Sequence, residues 1–193
     1  MKILKTSIDD FDEGIIDEAV EVLANGGVIL YPTDTVYGLG ANIFDKQAVK
    51  RVFELKNRSF LKPLSILVSN TRAIDVVADV TVRQKEIIAS HLPGPYTFIL
   101  NRNTIVPRSV TGGSRLVGVR VPNCEIACRL ASIFPITTTS ANISDEEVLP
   151  TPGEILEQLN QDVDLVIDVG KLDTNHASKI VDLTKVVPKI IRK

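Results

Sequence analysis

Apolar residues recur along the chain in two patterns, one typical of amphipathic helices and the other of short buried strands. Apolar positions at helical spacing predict helices at residues 9–25, 45–56, 81–91, 125–133 and 152–159. Short runs rich in β-branched residues predict strands at residues 2–5, 28–31, 64–68, 96–100, 117–121, 136–139, 165–169, 180–183 and 190–191. Asp45 is the expected N-cap of the second helix.

Strands and helices mostly alternate, although the last third of the chain contains consecutive strands. Alternation favours parallel pairing with helices across the faces of the sheet, and the consecutive strands favour some antiparallel pairing. The predicted fold class is therefore α/β, with an open, twisted, mixed parallel and antiparallel sheet flanked by helices. No linker, repeat or low-complexity tract interrupts the sequence, so we expect residues 1–193 to form a single domain.

The composition is that of an ordinary globular protein, with 44% hydrophobic and 24% charged residues. The two cysteines, Cys124 and Cys128, lie four residues apart on one predicted helix face, which favours packed, reduced thiols over a disulfide or a metal site. The N-terminus does not resemble a signal peptide, and no apolar run approaches the length of a membrane span. We therefore expect a cytoplasmic protein without a membrane partner.

The charged residues are unevenly distributed. The net charge of −2 argues against a general nucleic-acid binder. Residues 45–62 nevertheless contain six basic and two acidic residues, whereas residues 142–168 contain eight acidic residues and no Lys or Arg. The basic segment suits a compact anion such as a triphosphate. A solvated helix face explains the same charges equally well.

Well-known nucleotide and hydrolase motifs are absent. The stretch that begins at Gly38 lacks the third glycine of a dinucleotide fingerprint, and no segment matches a P-loop or the nucleophile elbow of serine hydrolases. The two histidines, His91 and His176, lie in contexts that give acid–base catalysis little support.

Polar segments follow two of the predicted strands. Residues 31–40 combine Thr33, Asp34 and Thr35 with two glycines, and residues 137–142 end in Ser-Ala-Asn. Ligands of open α/β sheets usually bind at such strand ends. Ordinary turns capped by Asp34 or by Ser and Asn would have the same composition.

Three cations are candidates for anion binding. Lys56 and Arg58 end the second helix and could hold phosphate, although cations there also complement the helix dipole. Arg120 lies inside an apolar strand, where a guanidinium is costly to bury unless it meets an anion. That anion is either a buried carboxylate of the protein or, as we prefer, a substrate carboxylate.

Taken in order, these segments resemble the YrdC-like family of threonylcarbamoyl-adenylate synthases. The ordered set of Pro-Thr-Asp-Thr at residues 32–35, Lys-x-Arg at 56–58 and Ser-x-Asn at 140–142 is specific to that family, whereas each motif alone is not. Further matching segments lie at residues 26–31, 62–64, 92–97, 110–113, 119–122 and 180–183. The resemblance covers nearly the whole chain and is to the short form, without an extra C-terminal domain.

The resemblance implies a concave, positively charged sheet face and a reaction. L-threonine and bicarbonate form a carbamate, which attacks the α-phosphate of ATP and releases pyrophosphate. The implied metal ion is Mg2+, held mainly by the phosphates. The resemblance also implies a downstream threonylcarbamoyl-transfer complex that modifies tRNA. The tRNA is itself a candidate partner of the concave face. Because the nucleophile belongs to the substrate, the resemblance implies no catalytic side chain, only positioning and charge stabilisation.

The resemblance also assigns residues to the two substrates, with no metal ligand among them. The implied ATP-binding residues are Lys56, Arg58, Lys62, Asn142, Thr151 and Ser178. The implied threonine-binding residues are Thr33, Thr35, Arg120 and Ser140. We expect Lys56 and Arg58 to form a solvent-accessible clamp.

Two departures from the family pattern bear on substrate choice. Leu67 stands where many members carry a ligand-binding histidine, and the loop at residues 145–150 is acidic and one residue longer than usual.

The main alternative function is a non-catalytic RNA-binding module of the same fold, although the net charge and the scarcity of aromatic residues oppose it. A nucleotide hydrolase, or an adenylating enzyme for another small acid, is the third hypothesis.

Overall fold

The structure is a computed structural model that describes residues 1–173 and 176–192. The strands, in chain order, are β1 (Lys2–Lys5), β2 (Ile29–Tyr31), β3 (Gly38–Gly40), β4 (Ser65–Leu67), β5 (Ala78–Asp79), β6 (Tyr96–Arg102), β7 (Leu116–Arg120), β8 (Ile136–Ser140), β9 (Leu165–Asp168), β10 (Lys179–Asp182) and β11 (Lys189–Arg192). The helices are α1 (Glu13–Ala24), α2 (Lys46–Leu55), α3 (Ile74–Val77), α4 (Val82–Ala89), α5 (Glu125–Leu130) and α6 (Pro152–Leu159), and a 3-10 turn at Thr71–Ala73 precedes α3.

Within these residues the strands form one sheet in the order β1-β9-β2-β3-β8-β4-β7-β6-β10-β11, with β5 paired to β6. The sheet contains parallel pairs, such as β1 with β9 and β4 with β7, and antiparallel pairs, such as β3 with β8 and β6 with β7. The predicted fold class, a mixed sheet flanked by helices, is confirmed.

Local capping signals set several helix boundaries. Asp45 Oδ1 accepts hydrogen bonds from the backbone N–H groups of Gln47 and Ala48, at 2.8 and 2.9 Å, so the predicted N-cap of α2 is confirmed. The first helix begins at Glu13 and not at residue 9, because Asp12 caps it through a 2.8 Å hydrogen bond from Gly14 N. None of the helices within residues 1–173 and 176–192 is long and apolar enough to span a membrane.

Strand β3 and the elements between residues 71 and 79 were not predicted. β3 consists of Gly38, Leu39 and Gly40, and glycine has a low intrinsic preference for strands. The buried ring of Tyr31 explains the two glycines, because a Cβ atom added to Gly38 or Gly40 would lie 3.0 or 2.9 Å from atoms of that ring. The strand therefore depends on a residue of its neighbour, β2.

The two faces of the sheet are covered differently. Helices α1 and α5 pack on one face, where Ile29 and Tyr31 of β2 belong to a single buried cluster with Leu23 and Leu130. The opposite face carries the larger cluster, to which α2, α4 and α6 contribute. Since side chains alternate along a strand, alternate residues of β6, β7 and β10 point to the same face as α1 and α5, beyond the area that these helices cover. The uncovered part of this face is the floor of a cavity.

The close approach of β3 to Tyr31 makes a testable prediction. Gly40→Ala should lower the free energy of unfolding by about 1–3 kcal/mol, because the new methyl group overpacks a ring whose hydroxyl is held by a hydrogen bond to Thr137 O at 3.2 Å. Urea denaturation measures the change.

Gly153→Ala is the matched control, because a Cβ atom there would meet nothing within 4 Å and the residue lies in α6. This variant should be as stable as the wild type or slightly more stable. A Gly40→Ala protein that unfolds at the wild-type urea concentration would contradict the packing described for β3.

Candidate functional site

A cavity of about 720 Å³ lies on the uncovered part of the sheet. Residues of β6, β7, β8 and β10 form its floor, and the segments at residues 56–65 and 142–148 form one side. The cavity brings together most of the predicted site residues: Thr33, Lys56, Arg58, Lys62, Arg120, Ser140, Asn142 and Ser178. Thr35 and Thr151 are not among the residues that line it.

Lys56 joins the end of α2 to the end of β8. Its Nζ donates to Ser140 O at 2.5 Å, to Asn142 O at 2.6 Å and to Asn142 Oδ1 at 3.1 Å. Ser140 Oγ donates to the same Asn142 Oδ1 at 2.6 Å. The three residues therefore form one hydrogen-bonded unit at the wall of the cavity.

The expectation that Lys56 forms a solvent-accessible clamp is wrong, because the residue is only 2% exposed. Burial, followed by the charge of Arg58, lowers the pKa of Lys56 to about 7. The three oxygen atoms around Nζ oppose this effect, because only the ammonium form has three N–H groups to donate. In this arrangement the ammonium of Lys56 contributes positive charge to the cavity wall, and its N–H groups donate to Ser140 and Asn142.

Arg58 and Lys62 are more accessible than Lys56 and lie at the rim. Arg58 Nε donates to Lys62 O at 3.2 Å and Arg58 Nη2 donates to Pro63 O at 2.9 Å, which fixes the guanidinium against the segment after α2. Lys62 Nζ lies 2.9 Å from Asp145 Oδ2, and both of these side chains are largely exposed. Together with Lys56, these residues place three cations along one side of the cavity.

Arg120 lies on the floor of the cavity and is 5% exposed. Its Nη2 donates to Asp34 Oδ1 and, at 2.8 Å, to Thr35 Oγ1, whereas its buried Nε has no hydrogen-bond partner. The second carboxylate oxygen of Asp34 accepts from Asn123 N at 3.0 Å. The structure thus contains the buried carboxylate that the sequence analysis weighed as one explanation of Arg120.

Thr33 and Thr35 belong to the turn between β2 and β3. Thr33 Oγ1 donates to Val36 O at 2.7 Å and lies 3.0 Å from Thr35 Oγ1. Thr35 is 4% exposed and reaches the cavity through its hydrogen bond to Arg120. Thr33 therefore lines the cavity directly, and Thr35 orients the arginine that lines it.

Ser178 and Arg192 close the other side of the cavity. Ser178 Oγ lies 2.8 Å from Thr97 Oγ1, and Arg192 donates to Ser178 O through Nε at 3.0 Å and through Nη2 at 2.7 Å. Burial, followed by the positive charge of Arg120, lowers the pKa of Arg192. The sequence analysis missed Arg192, whose placement depends on the pairing of β11 with β10.

The sequence analysis also named Thr151 and Leu67, and the structure shows what each of them contacts. Thr151 is the N-cap of α6, where its Oγ1 accepts from Glu154 N at 3.4 Å, and the structure does not bring it to the cavity. Leu67 is fully buried in the cluster that contains Tyr31 and Ile136. Because Leu67 and the cavity-lining Ser65 are two residues apart on β4, both side chains point to the cavity face of the sheet.

The fold and this site define an α/β protein with a cation-lined cavity on one face of a mixed sheet. Residues 21–193 match the family described as telomere recombination, which comprises Sua5, YciO and YrdC. The chain belongs to this Sua5–YciO–YrdC family.

Several relatives and solved structures are similar over most of the chain. A threonylcarbamoyl-AMP synthase of Pyrococcus abyssi is 35% identical over 195 residues, covering 100% of this chain and 57% of the relative. A putative threonylcarbamoyl-AMP synthase of Methanocaldococcus jannaschii is 40% identical over 161 residues, covering 83% of this chain and 76% of the relative. The chain thus spans little more than half the length of the Pyrococcus relative.

Two solved structures share the fold closely. The crystal structure of P. abyssi Sua5 complexed with L-threonine has a TM-score of 0.93 and 34% identity, covering 100% of this chain and 57% of that one. The crystal structure of Escherichia coli YciO has a TM-score of 0.91 and 30% identity, covering 100% of this chain and 96% of that one.

The hydrogen bonds of Lys56 predict a structural role for this side chain. Lys56→Met should lower the free energy of unfolding by about 1–3 kcal/mol, because buried carbonyl and amide oxygens lose their shared donor. Urea denaturation at neutral pH measures the effect. Lys62→Met is the matched control, since it removes an exposed ammonium and should leave stability close to that of the wild type. Equal stability of the Lys56→Met and wild-type proteins would contradict the structural role.

Proposed function

We propose that the protein is an L-threonylcarbamoyl-adenylate synthase, a nucleotidyltransferase that acts on ATP, L-threonine and bicarbonate. The observation that carries the proposal is that one cavity has three cations along one side and Arg120 on its floor. The family to which the chain belongs includes relatives named threonylcarbamoyl-AMP synthases. The three cations suit a triphosphate, and Arg120 suits an amino-acid carboxylate.

The proposed reaction has two bond-forming stages. The amino group of threonine combines with bicarbonate to form a carbamate and water. A carbamate oxygen then attacks the α-phosphorus of ATP, the bond from that phosphorus to the bridging oxygen of the β-phosphate breaks, and pyrophosphate leaves. The nucleophile comes from the substrate, so the protein needs to align the two reactants and to stabilise negative charge.

Each side of the cavity has a proposed role in this alignment. Arg58 and Lys62 bind the phosphates at the rim, while the buried ammonium of Lys56 adds positive charge and holds Ser140 and Asn142 in place. Arg120, oriented by Asp34 and Thr35, binds the threonine carboxylate. Ser178, which the resemblance gave to ATP, lies on the opposite side beside Arg192. Thr151 caps α6 outside the cavity, so it has no part in this proposal.

Mg2+ is part of the proposed reaction as a partner of the nucleotide. The described residues contain no group of three or more His, Cys, Asp or Glu side chains that could hold a metal ion by themselves. We propose that Mg2+ is held mainly through the phosphate oxygens of ATP, where it would neutralise charge on the triphosphate. We further propose a cytoplasmic enzyme whose product passes to a downstream threonylcarbamoyl-transfer complex acting on tRNA.

The RNA-binding alternative has less support from the cavity. Single-stranded RNA is usually bound by aromatic side chains that stack on bases. Among the described residues that line the cavity, the one aromatic side chain is Tyr37. Its hydroxyl group donates to Gly170 O at 2.8 Å and accepts from Val169 N at 3.0 Å, which holds the ring in place.

Omission of substrates one at a time tests the proposed activity. We expect pyrophosphate release to require ATP, L-threonine and bicarbonate together, with the mixed adenylate detected by mass spectrometry. Release that continues without threonine would indicate a hydrolase or another acceptor and would contradict the proposal. Folded protein that binds RNA but releases no pyrophosphate would favour the RNA-binding module.

Arg58 provides the mutational test of the phosphate side. Arg58→Ala should lower kcat/KM for ATP about tenfold or more, because a charge-assisted contact to phosphate is lost. Steady-state pyrophosphate release measures the loss. Arg83→Ala is the matched control, since Arg83 is exposed on α4 and does not line the cavity. Equal losses in both variants would show that the effect is not specific to the cavity.

A further inference from the structure

Asp145 is an acidic side chain within the cation-lined part of the cavity. It lines the cavity together with Lys56, Arg58 and Lys62, and its carboxylate lies 2.9 Å from Lys62 Nζ. Its side chain is 80% exposed, so the carboxylate is accessible from solvent. The cavity therefore already holds an anion of the protein beside the cations that we assign to phosphate.

The backbone around Asp145 is fixed even though the side chain is exposed. Asn142 Nδ2 donates to Ile143 O at 2.9 Å and to Glu146 O at 2.8 Å, and Ser144 N donates to Lys56 O at 2.8 Å. Asp145 itself has a φ of 71°, in the left-handed region that Asp and Asn tolerate better than most residues. These hydrogen bonds thus hold the loop backbone at the rim, where the exposed Asp145 carboxylate accepts a hydrogen bond from Lys62 Nζ.

The electrostatic surroundings of Asp145 are those of a bound anion. The hydrogen bond and charge of Lys62 lower the pKa of Asp145, and the charges of Arg58 and Lys56 lower it further. The carboxylate is consequently ionised at neutral pH, and it neutralises part of the positive charge on which a polyphosphate would depend.

We propose that Asp145 is a built-in competitor of the phosphate chain, a tethered carboxylate that occupies Lys62 until an incoming polyphosphate displaces it. The inference rests on the proposed ATP site and adds a residue that sets its affinity. Binding of a polyphosphate then requires Lys62 to exchange one anion for another, so the affinity for ATP is weaker than the three cations alone would give.

The experiment compares wild type with Asp145→Asn, which removes the charge and keeps a residue that tolerates a positive φ. Isothermal titration with ATP and, separately, with inorganic tripolyphosphate measures affinity without any need for turnover. We expect both anions to bind about two- to fivefold more tightly to the variant at low salt, the size of one exposed charge pair. The gain should disappear near 1 M salt, where the Debye length is about 3 Å.

Glu147→Gln is the matched control. Glu147 lies in the same loop and is exposed, but it does not line the cavity. Its replacement removes the same charge and should leave both affinities close to the wild-type values. An equal gain in Glu147→Gln and Asp145→Asn would overturn the inference, because it would reflect net charge and not displacement at Lys62.

The direction of the change separates competing roles. Weaker ATP binding to Asp145→Asn would overturn the inference and indicate that the carboxylate helps to hold the nucleotide or its Mg2+. If the wild type binds ATP and Asp145→Asn binds it with the same affinity, the inference is overturned and the proposed function is not. Tripolyphosphate binding without ATP binding, but with the expected gain, would support the inference and contradict the proposed function, whereas binding of neither anion would overturn both.

Discussion

The buried ammonium of Lys56 is the interaction on which the site depends. It joins the end of α2 to Ser140 at the end of β8 and to Asn142 just after that strand, which are 84 and 86 residues away in sequence. A buried cation without a carboxylate partner is costly, and here backbone and amide oxygens supply the compensating hydrogen bonds. The same atoms that hold the chain together therefore set the shape and the charge of the cavity wall.

A second buried charge organises the floor. Arg120 lies at the end of β7, and Asp34 lies in the turn between β2 and β3. Both side chains are nearly inaccessible, with exposures of 6% and 11%. Removal of one partner from such a pair leaves an uncompensated charge, so each residue constrains the other. The pair also orients the guanidinium at the edge of the area that α1 and α5 leave uncovered. The two charged centres, Lys56 and Arg120, thus give the cavity one charged group on its side and another on its floor.

The features that could be predicted from the sequence are those set by neighbouring residues. The N-cap Asp45 and the whole span of α6 follow from local capping and proline signals, and the mixed sheet follows from the order of elements. Strand β3 was missed because its glycines are explained only by the ring of Tyr31. The burial of Lys56, the partner of Arg120 and the role of Arg192 depend on contacts between distant segments, which spacing does not reveal. Eight of the ten site residues that the family resemblance implied line the cavity, whereas Thr151 caps a helix instead.

A crystal structure with a non-hydrolysable ATP analogue and L-threonine tests the account most directly. The account predicts phosphate oxygens within hydrogen-bond distance of Arg58 and Lys62, and the threonine carboxylate on the guanidinium of Arg120. It also predicts that Lys56 keeps its hydrogen bonds to Ser140 and Asn142 in the complex. A triphosphate bound away from Arg58 and Lys62, or a carboxylate remote from Arg120, would contradict the division of the cavity into these two parts.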